Sequence, residues 1–387
     1  MRTLHVTQTY YPFLDRGGPT VKVRAIAEGL AQRGERVSVL TSWYGRPFTA
    51  RNVQQNGVEV VYLRSRATYR ATTLNAGLLS FCGKRLRDFD LVHIYGLYDL
   101  LGPVVAHYCF KAGVPYVVEP LGMVRPIDRS FRLKRLWHAF LGKPLLRHAA
   151  MLIATSQQEE RELVEDGFDR NRVALRYNGV DLQEFASLPP KGAFRSEWSL
   201  PPREPIVLFL GRVIPRKGVD LLIDAFSKAC PDRSRLVIAG PEGEIGYVAK
   251  LREIAREKRV EDRTIFTGPL YGDQKKALLV DSHVFVLPSR YENFANGVAE
   301  AIACGIPSIV TDRCGVSEFV AGKAGLVIPR ETPALTDALR TLLNDSLLYD
   351  RFRLACPEVA GKLSWQQLLG TQMELYARVR QAKNESR

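Results

Sequence analysis

Residues 206–210 read Ile-Val-Leu-Phe-Leu and close on Gly211. Five apolar residues in a row present no polar side to water. Such a segment is a strand buried on both faces, as found inside a parallel sheet covered by helices. Short apolar runs of the same kind recur at 4–7, 37–41, 58–63, 91–95, 116–119 and 151–155, and again at 235–239, 264–267, 284–287, 308–311 and 325–328. Longer segments with helical spacing lie between them. One is 20–33, with Val21, Ala25, Ile26 and Leu30 on one face and Gly34 at its end; others are 220–230 and 297–304. Strands alternating with helices predict βαβ units and parallel sheets. The alternation breaks once, between Phe185 and Pro205, in Ser-Leu-Pro-Pro-Lys-Gly and Leu-Pro-Pro-Arg-Glu-Pro, which reads as a linker. A chain of 387 residues exceeds the size at which one core stops growing. The expected fold class is therefore α/β, with two Rossmann-like doubly wound parallel-sheet domains facing a cleft. Their expected bounds are 1–184 and 205–363, with 185–204 between them. A last helix over 364–387 carries Trp365, Leu368, Leu369, Met373, Tyr376 and Val379 at helical spacing and is expected to pack back on the first domain. Ligands of such sheets bind at the carboxyl ends of the strands.

Charge narrows the choice of partners because it is uneven. Residues 1–150 hold 22 Lys/Arg against 9 Asp/Glu, an excess of 13 out of a net charge of +14 for the whole chain. A basic field of this kind favours an anionic partner. Within it, Arg125, Arg129, Arg132, Lys134, Arg135, Lys143 and Arg147 alternate with Phe131, Leu133, Leu136, Trp137, Phe140 and Leu141. Basic residues backed by an aromatic and aliphatic face fit a helix lying on an anionic membrane surface, and equally an ordinary packed amphipathic helix. No RNA-binding motif accompanies the mixture, so nucleic acid is not an expected partner. No stretch approaches the ~20 apolar residues needed to span a bilayer, and no apolar leader opens the chain. The six cysteines are scattered without a C-x-x-C pair. That excludes a sequence-readable zinc site and fits a reducing cytoplasm, with peripheral attachment to the inner face of the membrane as an extension.

Two segments carry the chemistry. Gly211-Arg212-Val213-Ile214-Pro215-Arg216-Lys217-Gly218 follows the buried strand and precedes a helix. Arg212 and Lys217 can reach anionic oxygens from a loop near a helix N-terminus, which suits a diphosphate. The second segment, Pro288 to Glu300, places Glu292 in a loop and Glu300 one turn into a helix. A helix starting near Asn296 would turn the amides of Asn296, Gly297 and Val298 toward an anion. The two oxygens of the Glu300 carboxylate can accept both hydroxyls of a ribose, and Glu292 can accept from sugar hydroxyls.

These two segments together resemble glycosyltransferase family 4, the large retaining family with the GT-B fold. Ala301-Ile302-Ala303-Cys304-Gly305-Ile306-Pro307 continues the likeness. So do Tyr177-Asn178-Gly179-Val180-Asp181, Phe266-Thr267-Gly268, Leu287-Pro288-Ser289 and the Gly17-Gly18 turn. The resemblance implies that Arg212 and Lys217 bind the donor diphosphate and Glu300 its ribose. It also implies that Glu292 meets the transferred sugar, that Gly18 lies over the phosphates, and that Asn296, Gly297 and Val298 contact phosphate or sugar. Catalytic roles fall to Glu292, Arg212 and Lys217, with no metal and no cofactor besides the nucleoside-diphosphate sugar of UDP or GDP type. The implied reaction is transfer of a hexose to a hydroxyl acceptor, a glycan or lipid-linked intermediate of bacterial cell-surface polysaccharide synthesis. The chain departs from the family pattern twice. Many relatives have Gly after the aromatic where Ala295 follows Phe294, and many have His in the segment that here reads Glu119-Pro120-Leu121-Gly122-Met123. His93 and His107 are read as strand and helix residues rather than catalysts.

Two other readings share the pattern. A nucleotide-sugar epimerase could use the same double architecture without an acceptor. A silent nucleotide-sugar or membrane-binding protein would not need Glu292, Glu300, Arg212 and Lys217 together. An NAD-type oxidoreductase fits less well still, because no G-x-G-x-x-G follows the first strand.

Overall fold

The computed structural model describes residues 1–13, 18–44, 52–69, 72–125, 135–230 and 233–385. They form two units, Met1–Asn178 with Trp365–Arg387, and Gly179–Ser364.

The first unit is built on β1 (Arg2–Val6), β2 (Arg36–Trp43), β3 (Asn52–Gln55), β4 (Val58–Tyr69), β5 (Thr72–Asn75), β6 (Leu91–Tyr95), β7 (Tyr116–Glu119), β8 (Met151–Ala154) and β9 (Val173–Leu175). Their order is β3-β4-β2-β1-β6-β7-β8-β9, with β5 beside β4. The sheet is parallel from β4 to β9, but β3 and β5 run antiparallel to β4. These two antiparallel strands extend the expected parallel sheet at its edge. Asn-Val-Gln-Gln and Thr-Thr-Leu-Asn are too polar to announce themselves as strands, and only an edge, with one side open to water, tolerates such segments.

One face of the sheet is covered by the helices Gly18–Gln32 and Trp365–Glu385. Val23, Ile26 and Leu30 of the first helix share a core with Leu368, Leu369 and Tyr376 of the second and with Val37 and Val39 of β2. Gly29 permits this approach: a Cβ there would lie 2.3 Å from Leu369 Cδ1. Beneath the two helices sits a polar cluster that no local pattern reveals. Glu119, at the end of β7, is bonded by both Lys22 and Arg176, and all three are buried. His5 shares a 2.9 Å hydrogen bond with Tyr95, and His93 one of 2.6 Å with Tyr376. Burial lowers the Lys22 ammonium to about 8 against the pull of Glu119, and holds His5 at about 3, so both histidines are neutral members of the core.

The second unit is wholly parallel, in the order β12-β11-β10-β13-β14-β15. Its strands are β10 (Ile206–Leu210), β11 (Arg235–Ala239), β12 (Thr264–Gly268), β13 (Val284–Leu287), β14 (Ser308–Thr311) and β15 (Gly325–Ile328). The continuous apolar run takes the centre, with Ile206, Val207, Leu208 and Phe209 fully buried. Each such side chain contributes about 1.5–3 kcal/mol over an exposed position. The strand order reverses between β10 and β13, and open α/β sheets bind ligands at that switch point, beyond the carboxyl ends of the strands.

The segment read as a linker belongs to this unit. Residues Ala193–Glu197 form a short helix, Phe194 is buried, and the amides of Gly192 and Arg195 donate to the Asp281 carboxylate at 2.5 and 3.0 Å. Prolines at both ends resemble a linker in sequence, but the buried Asp281 gives the intervening turn a fixed anchor.

Candidate active site

In the second unit the loops after β10, β13 and β14 are laced together by backbone hydrogen bonds. Arg290 N–H donates to Arg216 O, Glu292 N–H to Arg313 O, and Gly315 N–H to Glu292 O, each at 2.9 Å. Glycines let the loops approach. Gly218 has φ +73°, and a Cβ on it would lie 2.3 Å from Pro288 O. Gly240, just past β11, would place a Cβ 2.0 Å from Gly211 O. The loop bearing Arg212 and Lys217 therefore lies against the loop bearing Glu292, at the switch point.

Lys217 and Glu292 form an ion pair at 2.7 Å, and both side chains are largely buried. Ser289 Oγ donates to the same Glu292 oxygen at 3.3 Å, and Thr311 Oγ1 donates to Ser289 O at 2.7 Å, which ties the carboxylate to β14. Arg212 is exposed, and among the described residues its guanidinium has no acidic partner. Its aliphatic stem lies over Gly243, where a Cβ would approach Arg212 Cδ to 2.5 Å.

Glu300 sits one turn into the Asn296–Ala303 helix. Lys275, from the Gly272–Asp281 helix, donates to its Oε1 at 3.0 Å. Burial raises the Glu300 carboxyl above the usual range, and Lys275 opposes that shift. No local sequence pattern singles out Lys275, because it lies 25 positions from Glu300 on a different helix. Gly240 and Gly243 were missed as well, although the Ala239-Gly240-Pro241-Glu242-Gly243 turn after a strand is a readable signal.

The helix start differs from the expected three-amide cradle. Val298 N–H donates to Ala295 O at 3.0 Å, so this amide is engaged within the helix start. The reason is local: Ala295 stands at the cap with φ +82° and ψ +71°, which turns its carbonyl under the first turn. Gly297 is required by packing, since a Cβ would lie 3.3 Å from Leu210 O and 3.4 Å from Phe285 Cζ. That contact sets the helix N-terminus over the end of β10.

In the first unit, Gly18 opens the Gly18–Gln32 helix, while Gly17 lies outside the described residues. Leu121 has φ +61°, and Gly122 N–H donates to the buried Glu159. His93 is sequestered in β6, and His107 lies on the Leu101–Ala112 helix. Much of the basic segment, residues 126–134, lies outside the described residues, including Arg129, Arg132 and Lys134. Arg125 is paired with Glu165 at 2.8 Å and Asp166 at 3.3 Å, so its charge is already met. All six cysteines are free. Among the described residues no group of three or more His, Cys, Asp or Glu is placed to hold a metal, and no helix is long and apolar enough to cross a membrane.

Comparison with known proteins agrees with this arrangement. Residues 17–179 match the family described as "Glycosyl transferase 4-like domain", and residues 191–357 the family "Glycosyl transferases group 1". The GDP-mannose-dependent alpha-mannosyltransferase of Mycobacterium tuberculosis is 31% identical over 81% of this chain and 82% of that relative. The D-inositol 3-phosphate glycosyltransferase of Nocardia farcinica is 28% identical over 94% of this chain and 85% of that relative. Among solved structures, sucrose-phosphate synthase from Thermosynechococcus elongatus superposes with a TM-score of 0.78 at 22% identity, covering 99% and 100% of the two chains. Anabaena HepE in complex with UDP-glucose does so with 0.78 at 20% identity, covering 98% and 100%. Family matches and fold define a GT-B glycosyltransferase. The chain belongs to the family-4 type of these enzymes and is a transferase.

Proposed function

We propose that the protein moves a hexose-type sugar, with retention, from a nucleoside-diphosphate sugar to a hydroxyl acceptor. The acceptor is read as a lipid-linked glycan intermediate of cell-surface polysaccharide synthesis, met at the cytoplasmic face of the membrane. The observation that carries the donor reading is the pairing of both candidate carboxylates with lysines, beside an Arg212 that has no acidic partner among the described residues, at the switch point of the second sheet. A diphosphate departing from C1 of a sugar needs its growing charge stabilised, and cations held in place before the reaction do this without reorganisation. Arg212 and Lys217 would hold the diphosphate without a metal or other cofactor. Glu300 would accept the ribose hydroxyls, held in orientation by Lys275. Glu292 would accept from sugar hydroxyls, and the helix start at Asn296 and Gly297 would bring backbone near the phosphates. A relative named for GDP-mannose, and a structural neighbour solved with UDP-glucose, support a donor of this class.

Thermal stabilisation and slow hydrolysis across a panel of UDP- and GDP-sugars test the reading, followed by acceptor extension with the best donor. At least one donor should stabilise the protein and be cleaved, and Arg212→Ala should weaken both. A panel without any effect would remove the nucleotide-sugar reading. An altered nucleotide sugar released without acceptor would favour an epimerase.

A further inference from the structure

The first unit carries an apolar groove of about 700 Å³ that no donor chemistry uses. It lies among the helices Leu78–Arg85, Leu101–Ala112 and Lys143–Arg147 and the π-helical stretch His138–Gly142 that runs into the last of them. Leu79, Val104, Phe110, Phe140 and Leu141 line it, with Lys111 at its rim. Three of these are held out in water: Leu79 is 62% exposed, Phe110 71% and Phe140 74%. Large apolar side chains exposed together around one concavity mark a binding surface.

Charge selects the occupant. The four segments contain Lys84, Arg85, Lys111, Lys143 and Arg147 and no acidic residue. Arg85 is met by Glu59 and Asp88. The other four have no acidic partner among the described residues. A surface offering exposed aromatic and aliphatic groups amid uncompensated cations is complementary to an anionic bilayer, whose headgroups meet the charges while its chains meet the apolar groups. A protein partner would need acidic side chains placed around the rim and separately shaped pockets for three projecting side chains, whereas an anionic bilayer supplies both without a preformed shape.

We propose that this groove is the face by which the protein docks on an anionic lipid surface, with Leu79, Phe110 and Phe140 entering the interface. The dock is formed by the helices Leu78–Arg85 and Leu101–Ala112 together with the helical run over 135–147, which is the described end of the segment read from the sequence as an interfacial helix. Its purpose rests on the reading of a lipid-linked acceptor, but its test does not. Vesicle binding is measured without sugar nucleotide, and donor hydrolysis is followed separately.

The full-length protein is to be sedimented with vesicles of phosphatidylglycerol and phosphatidylcholine, or of phosphatidylcholine alone, at low and high salt. The expected result is at least about ten-fold stronger partitioning to the anionic vesicles, lost at high salt as headgroup charge is screened. A Leu79→Ser, Phe110→Ser, Phe140→Ser variant should reduce partitioning about ten-fold or more. A Lys84→Gln, Lys111→Gln, Lys143→Gln, Arg147→Gln variant should remove the salt dependence. All seven positions are exposed. Melting temperature and donor hydrolysis should therefore match wild type, which separates lost docking from lost folding. Failure of wild type to sediment at low salt would overturn the proposal, as would full binding by either variant. A concentration-dependent dimer broken by the serine variant, without vesicle binding, would assign the groove to a second copy of the chain.

Discussion

Replacing Glu292 should tighten the binding of a free nucleoside diphosphate while it destroys turnover. A simple division of roles, with sugar for Glu292 and phosphate for Lys217, would leave diphosphate affinity untouched. The structure changes this expectation because the two side chains are bonded at 2.7 Å in a largely buried setting. A diphosphate must compete with that carboxylate for the ammonium and also suffers its repulsion. A charge-assisted hydrogen bond in such a place is worth about 1.5–3 kcal/mol. If Glu292→Gln releases that amount to the ligand, the dissociation constant falls about 10- to 100-fold at about 1.4 kcal/mol per decade. Calorimetric titration of UDP and GDP into wild type, Glu292→Gln, Lys217→Ala and the double variant closes a thermodynamic cycle. The gain should appear in Glu292→Gln and vanish when Lys217 is absent. Unchanged or weaker binding in Glu292→Gln would refute the reasoning, and an equal gain in the double variant would place its source elsewhere.

Other perturbations follow from the same geometry. Arg212→Ala should weaken donor use by about 1.5–3 kcal/mol, read as kcat/KM, with unfolding free energy within about 0.5 kcal/mol of wild type, because the side chain is exposed. Lys275→Met removes the cation that opposes the upward shift of Glu300, so diphosphate affinity should weaken as pH falls through a range where wild type is flat; parallel pH profiles would disprove the assignment. Ala295→Gly should leave stability unchanged or raise it by up to ~1 kcal/mol in urea unfolding, since φ +82° strains an alanine and suits a glycine. Acid should weaken the first unit. His5 is held at about 3 when folded and titrates at ~6.5 when unfolded, so the unfolded chain takes up a proton that the fold refuses. Stability is then lost as pH drops below ~6.5, by about 2 kcal/mol near pH 5, and His5→Gln should flatten the dependence.

The strands were legible wherever burial on both faces writes a continuous apolar run, as at 206–210, and the loops that follow β10 and β13 were legible with them. What escaped is what sequence distance hides. β3 and β5 are polar edge strands, and β9 spans only Val173–Leu175. The buried Glu119 draws its partners from 97 and 57 positions away, and only the folded sheet brings them together. Glu300 could be picked out as a carboxylate near a helix start, but its lysine could not. The cap at Ala295 is a subtler case: the residue departs from the family pattern, while its backbone keeps the conformation a glycine would adopt.

The claim that everything else depends on is transfer from a nucleotide sugar with retention of configuration. It is tested most directly by proton NMR of the product formed from the best donor and a soluble acceptor analogue, reading the anomeric coupling before it can equilibrate. The account predicts a new glycosidic bond with the anomeric configuration of the donor, formed by wild type and not by the Arg212→Ala, Lys217→Ala double variant. An inverted product, or transfer that survives in the double variant, would contradict it.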